Sequence, residues 1–174
     1  MALRAVFLDK DGTLIENLPH NVDPSRVRLA RGALHAVWQL SRNGFLIIVV
    51  SDQPGIALGF FSRVDLQPVE RHLRALLPLS GLYFCPHAPG GGCACRKPAS
   101  GMLVEAAREH GVDLGESWMV GDILDDVEAG RRAGCRTVLV DNGNETEWLM
   151  SEERRPHARV ACLPEAAELI CSAT

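Results

Sequence analysis

No apolar stretch in this 174-residue chain approaches the roughly 20 residues needed to cross a bilayer, which excludes a spanning helix. Neither sign of charge is in large excess: 18 Lys and Arg stand against 22 Asp and Glu, interspersed, for a net charge of −4. Nucleic acid and anionic membrane surfaces are therefore poor candidates for the main partner, and a small molecule is the better one. The stretch from Met1 to Lys10 lacks the long apolar core of a signal peptide, so the expected location is the cytoplasm. Internal repeats are missing as well, and low complexity is confined to Gly90, Gly91 and Gly92. What is present is a composition 47% hydrophobic and 23% charged, enough to bury one sizeable core. Residues 1–174 read as a single domain, expected to act as a monomer.

Short β-rich runs alternate with longer segments of helical period, the pattern of a parallel sheet with helices on both faces. Leu3 to Leu8 and Phe45 to Val50 read as strands. Between them a helix opens near Gly32, closes at Gly44 and carries Ala33, Leu34, Val37, Trp38 and Leu40 as its apolar face. Arg63 to Leu77 is a second helix and Leu82 to Phe84 a short strand. A third helix runs from Ser100, a good N-cap, to His110, with Gly111 placed to stop it. Trp118 to Val120 reads as a strand, Asp125 to Ala133 as a helix and Thr137 to Val140 as the last clear strand. The tail holds a charged stretch, Ser151 to Arg159, and a short helix near Pro164 to Ile170, without legible chemistry. The fold class that follows is α/β, with a doubly wound, mostly parallel (Rossmann-like) sheet.

Reactive groups in open α/β sheets collect at the carboxyl edge, so the residues just past each apolar run come first. After the first run, Asp9-Lys10-Asp11-Gly12-Thr13 places two carboxylates at a spacing of two. An acidic turn explains such a pair; so does a site that holds Mg²⁺ while one acid attacks phosphorus and the other moves a proton. A calcium loop of the EF-hand kind does not, because its Gly and Glu positions hold Leu14 and His20. After the second run, Ser51-Asp52-Gln53-Pro54-Gly55 offers a hydroxyl and turn amides to phosphoryl oxygens, or is simply a turn. Arg96-Lys97-Pro98 supplies two cations, which alone would be solvated surface. Gly121-Asp122-Ile123-Leu124-Asp125-Asp126 supplies three carboxylates. Asp122 and Asp126, at i and i+4, are expected on one helix face, and acids are also ordinary at a helix start. The order along the chain is what argues against coincidence: paired acids, a hydroxyl, a lysine, then more acids.

Those four segments resemble the four motifs of the haloacid dehalogenase superfamily, over residues 9 to 126. The resemblance implies that Asp9 is a nucleophile forming a phospho-aspartate, Asp11 a general acid/base, Ser51 a phosphoryl-binding hydroxyl and Lys97 a charge-stabilising cation. It implies a catalytic Mg²⁺ on Asp9, the backbone carbonyl of Asp11 and Asp122, with Asp126 in support. No segment between the motifs is long enough for a separate cap domain, so an open site and net hydrolysis are expected rather than a mutase. A phospho-accepting receiver module uses similar strand-end acids but lacks the Asp-x-Asp pair.

Cys85-Pro86-His87 and Cys93-Ala94-Cys95 offer three thiolates and an imidazole, a Cys₃His set that suits structural Zn²⁺. The competing reading, a Cys93–Cys95 disulfide, closes a strained ring in a reducing compartment. Cys135, Cys162 and Cys171 stand apart and read as core residues. A zinc loop leading into Cys-Arg-Lys-Pro resembles the group of heptose bisphosphate and histidinol-phosphate phosphatases. It implies a phosphorylated sugar as substrate, the 7-phosphate of D-glycero-D-manno-heptose 1,7-bisphosphate first, with histidinol phosphate as the alternative. Ser51, Asp52, Gln53, Arg96 and Lys97 are the expected substrate contacts, and Asp141 to Trp148 resembles the heptose branch. Two departures stand out: Asp52 adds an acid near the phosphate, and Ile123 stands where the group often has a Lys.

Overall fold

The computed structural model describes residues 2–173; Met1 and Thr174, the ends of the expected domain, lie outside the described residues. β1 (Ala5–Asp9) is buried along its whole length, as a strand covered on both faces must be. Its side chains alternate: Val6 and Leu8 enter one core layer, Ala5 and Phe7 the other. β2 (Leu46–Asp52) divides in the same way, with Ile47 and Val49 on one side and Ile48 and Val50 on the other. β3 (Leu79–Cys85), β4 (Trp118–Gly121), β5 (Arg136–Val140) and β6 (Ala158–Val160) complete a six-stranded sheet of order β3-β2-β1-β4-β5-β6. All five pairings are parallel.

The helices are α1 (Ala33–Arg42), α2 (Gln67–Leu76), α3 (Gly101–His110), α4 (Leu124–Ala133) and α5 (Leu163–Ser172). Side chains of α1, α2 and α5 share one core layer, and those of α3 and α4 contribute to the layer on the opposite face. The chain winds outward from β1 to β3, returns, and winds the other way from β4. The strand order therefore switches between β1 and β4, and the loops leaving those two strands diverge to open a crevice. Asp9 ends β1 and Asp122 follows β4, so the topology alone brings two of the expected site acids to one place.

Several local expectations need correction. On α1 the buried stripe is Ala33, Ala36, Val37 and Leu40, whereas Leu34 and Trp38 are 48% and 41% exposed. At about 100° per residue those two lie off the stripe, and the Trp38 ring sits under the Arg42 guanidinium instead. The second helix does not start at Arg63: a 3₁₀ turn over Val64–Leu66 precedes α2, and Pro68 falls within the first turn of α2, where its missing N–H costs nothing. β3 extends back through Gly81, where a Cβ would meet the rings of Tyr83 and His110 at 2.9 and 3.0 Å. Ser100 holds the cap position of α3 without a side-chain capping bond, while Gly111 ends the helix in the left-handed region. Asp122 precedes α4 and does not share its face with Asp126. Asp126 instead caps the helix, its Oδ2 accepting from the amides of Asp122 and Ile123. Cys135 is buried, but Cys162 and Cys171 are only half-buried and so are not core residues in full.

β6 was not legible in the charged tail. It is held to β5 partly by His157, whose Nδ1 accepts the Thr137 N–H at 3.0 Å and is therefore the unprotonated nitrogen. Burial, then Arg131 and Arg136, push the imidazole below its ordinary value. The folded state thus refuses a proton that the unfolded chain accepts, and this contribution to stability is lost as pH falls from about 6.5 through the lowered value. Thermal unfolding across that window is expected to show a steeper loss for the parent than for His157→Ala. Equal slopes would remove His157 from the account.

Candidate active site

Lys97 is the centre of the crevice. The side chain is buried, and its Nζ lies 2.5 Å from Asp9 Oδ1 and 2.6 Å from Asp126 Oδ1, with the Val50 carbonyl at 3.3 Å. Burial alone would push the ammonium down, but Asp126 and then Asp9 and Asp52 outweigh it and hold the pKa well above the ordinary lysine value. Asp9 is pulled in opposite directions. Burial raises its pKa well above normal, Lys97 opposes this, and Asp126 and Asp122 raise it further.

Asp122, whose pKa burial and Asp126 also raise, accepts from Thr13 Oγ1 at 3.0 Å on Oδ1 and from Asn144 Nδ2 at 2.6 Å on Oδ2. Ligand atoms of Asp9, Asp122 and Asp126 all lie within 4.8 Å of one another. Three buried carboxylates thus face one ammonium, and a divalent cation matches the surplus of negative charge. Asp126 pairs with the Lys97 ammonium through Oδ1 and accepts two amides on Oδ2, so it braces the cluster. Asp9 and Asp122, the latter accepting single hydrogen bonds from Thr13 and Asn144, are better placed to present oxygens.

On the other side of Asp9 lies the half-buried Asp11. Its Oδ2 accepts from Gln53 Nε2 at 3.0 Å and lies 3.5 Å from Ser51 Oγ; its Oδ1 pairs with the buried Lys10 at 3.2 Å. Gln53 Nε2 also donates to Ser51 Oγ at 2.8 Å, so this amide, singled out as a substrate contact, is turned inward to join two other site residues. Asp52 Oδ1 accepts the Lys97 backbone N–H at 3.3 Å, and burial raises its pKa against the pull of Lys97 and Arg96. The departure at position 52 therefore has a structural use: it fixes the segment that carries Lys97.

Cys85, His87, Cys93 and Cys95 converge as expected. Cys93 Sγ is 3.7 Å from both other sulfurs, close to the spacing of about 3.8 Å that tetrahedral Zn–S bonds of about 2.3 Å require. Cys85 and Cys95 are closer, at 3.0 Å, and His87 Nδ1 lies 3.2 to 3.4 Å from the same pair of sulfurs. The six cysteines are free, including Cys93 and Cys95. The Arg96 amide donates to Cys93 Sγ and is the main reason that thiol is lowered to about 7. This donor set could hold zinc. Arg96 follows directly, lining an open cleft of about 410 Å³ with Gly90–Gly92 and Arg132. Among the described residues, its Nη1 is the one buried side-chain polar atom without a hydrogen-bond partner.

A family model described as HAD-hydrolase-like matches residues 94–166. The D-glycero-β-D-manno-heptose-1,7-bisphosphate 7-phosphatase of Haemophilus ducreyi is 38% identical over 158 residues, covering 82% of this chain and 86% of that protein. The enzyme of the same name from Escherichia coli is 33% identical, covering 93% and 92%. The chain belongs to the haloacid dehalogenase-like hydrolases. Within them, the D,D-heptose 1,7-bisphosphate phosphatase of B. bronchiseptica, solved with magnesium and phosphate, superposes with a TM-score of 0.83 at 29% identity over 99% of this chain and 100% of that one.

Seen as a haloacid dehalogenase-like hydrolase, the chain brings together all four motif segments at the sheet's switch point, with the Cys/His cluster beside them. Sequence reasoning missed four residues that complete the arrangement: Lys10, Thr13, Asn142 and Asn144. Lys10 and Thr13 lie inside the first motif and were passed over between its acids. Asn142 and Asn144 follow β5, which is also a strand end at the carboxyl edge, so the rule that located the other motifs could have found them.

Proposed function

We propose that this chain, acting as a single monomeric domain in the cytoplasm, hydrolyses the 7-phosphate of D-glycero-β-D-manno-heptose 1,7-bisphosphate through a phospho-aspartate on Asp9. The observation that carries the chemistry is Asp9 at the end of β1, flanked by the Lys97 ammonium on Oδ1 and by the Asp11 carboxyl group two residues on. The names of its relatives carry the substrate. Asp9 attacks phosphorus in line, the bond from phosphorus to the sugar oxygen breaks, and Asp11 delivers a proton to that leaving oxygen. Asp11 then takes a proton from the water that cleaves the aspartyl phosphate, returning Asp9 and releasing phosphate. Gln53 and Lys10 hold the two oxygens of Asp11 in place for both steps. Lys97 neutralises charge on Asp9 and the phosphoryl group. Asp9, Asp122 and the Asp11 carbonyl would hold magnesium, which would supply the further positive charge that lets a carboxylate approach a phosphate dianion. Cys85, His87, Cys93 and Cys95 would hold zinc, which would tie the loop ahead of Arg96 and Lys97.

The place of Arg96 in the wall of the open cleft supports an anionic or hydroxyl-rich substrate held away from the reacting phosphate. Removing one charge-assisted contact costs about 1.5 to 3 kcal/mol, or roughly a tenfold to hundredfold loss of catalytic efficiency. Phosphate release is therefore expected to favour heptose bisphosphate over histidinol phosphate, with the preference shrinking by that factor in Arg96→Ala. Equal efficiencies for the parent, or a histidinol-phosphate advantage, would overturn the substrate assignment and leave the phosphatase chemistry standing.

A further inference from the structure

The segment between β5 and β6 is more than a connection. Asn144 Nδ2 donates to Asp122 Oδ2 at 2.6 Å, Asn142 Nδ2 donates to the Gly12 carbonyl at 2.7 Å, and Glu145 Oε2 accepts the Leu124 N–H, at the first residue of α4, at 2.7 Å. Three consecutive attachments thus reach the first-motif turn, the acid after β4 and the start of α4. Farther along, Arg154 pins the same segment to α4 through Asp125 at 2.5 Å and Glu128 at 2.7 Å. The meeting point is tight: at Gly12, whose φ is +92°, a Cβ would lie 2.3 Å from Asp122 Oδ2 and 2.7 Å from Asn144 Nδ2.

A carboxylate free to turn about its last torsion must be ordered before it can bind a cation. Asp122 is ordered in advance, with Thr13 on Oδ1 and Asn144 on Oδ2. Thr13 and Asn144 each take one acceptor position of the carboxylate and leave others for a metal. Asn144 is neutral, so it fixes the plane of the carboxylate without altering the charge of the cluster. Thr13 alone would leave a single pivot about which the group can swing.

We propose that Asn144 is a positioning residue for divalent-cation binding, fixing Asp122 so that the site takes magnesium more tightly. The inference rests on the reading of Asp122 as a magnesium ligand. Groups that orient a metal ligand change affinity by about 10- to 100-fold when removed. Isothermal titration of substrate-free protein with magnesium chloride is therefore expected to show weaker binding by that factor in Asn144→Ala. Glu147→Ala, an exposed neighbour on the same loop, should bind as the parent does. In steady state the half-saturating magnesium concentration should rise while kcat recovers at saturating metal. The unfolding midpoint without metal should fall by no more than the loss of one hydrogen bond to the buried Asp122 carboxylate explains. Parent-like affinity in Asn144→Ala overturns the proposal. So does a kcat lowered at every magnesium concentration with unchanged affinity, or a fall in the metal-free midpoint that accounts for the weaker binding. A parent that binds no magnesium defeats the metal reading of Asp122 itself, an outcome distinct from the others.

Discussion

Asp9→Asn is expected to abolish phosphate release, by roughly 10⁴-fold or more, as the loss of a covalent nucleophile does. The amide matches the carboxylate in shape and can still accept from Lys97 Nζ, but it has no charge with which to attack phosphorus or hold a divalent cation. The fold should survive the change. Burial raises the pKa of Asp9 well above its ordinary value even with Lys97 beside it, so the native state holds the ionised form at a cost. A raised carboxylate pKa means that the folded chain binds more protons than the unfolded one, and stability falls as pH rises above about 3.9. The neutral amide removes that penalty, so in magnesium-free buffer at neutral pH the midpoint of Asp9→Asn should be no lower than that of the parent. Acid-quenched parent should carry one phosphoryl group on the peptide that contains Asp9, and the variant none. Retained turnover, or a phosphoryl group trapped elsewhere, would take the nucleophile's role from Asp9.

The sheet was legible because its strands are apolar on both faces: Leu3 to Leu8 and Phe45 to Val50 gave themselves away by composition, and their ends located Asp9 and Ser51. The Cys/His cluster was equally legible, since four strong ligands in one short loop leave few other uses. Geometry that depends on side-chain direction was not. Asp122 and Asp126 look like one helix face on spacing alone, but the helix starts only at Leu124, and Asp126 turns back to cap it. Asp52 and Gln53 were legible as residues of the strand-end turn, but not the contacts they make in the structure: one holds the Lys97 amide and the other joins Ser51 to Asp11. β6 escaped notice because three residues within a charged stretch carry no periodicity, and it exists through pairing with β5. The loop that bears Asn142 and Asn144 was noticed only for its resemblance to the heptose branch, and the roles of the two amides lie in what they touch.

Loss of zinc should be the second large effect, and it should reach catalysis through Lys97. Cys85 ends β3 and lies in register with Asp52 on β2, while Cys95 stands two residues before Lys97. A metal shared by these cysteines would tie the end of the sheet to the segment that delivers the ammonium, and the Arg96 and Lys97 amides, bonded to Cys93 Sγ and Asp52 Oδ1, also hold that segment. If the loop opens, Lys97 leaves Asp9 and Asp126 as uncompensated buried carboxylates, a loss of about 3 to 5 kcal/mol. That is a large share of the roughly 5 to 15 kcal/mol that keeps a domain folded. Purified parent is expected to carry about one zinc per chain by elemental analysis. Cys95→Ser should lose the metal, unfold at lower temperature and hydrolyse its substrate far more slowly, and added magnesium should not restore the rate because the missing charge is that of Lys97. A zinc-free variant with full stability and full catalytic efficiency would show that Asp52 and the surrounding packing place Lys97 without help from the metal.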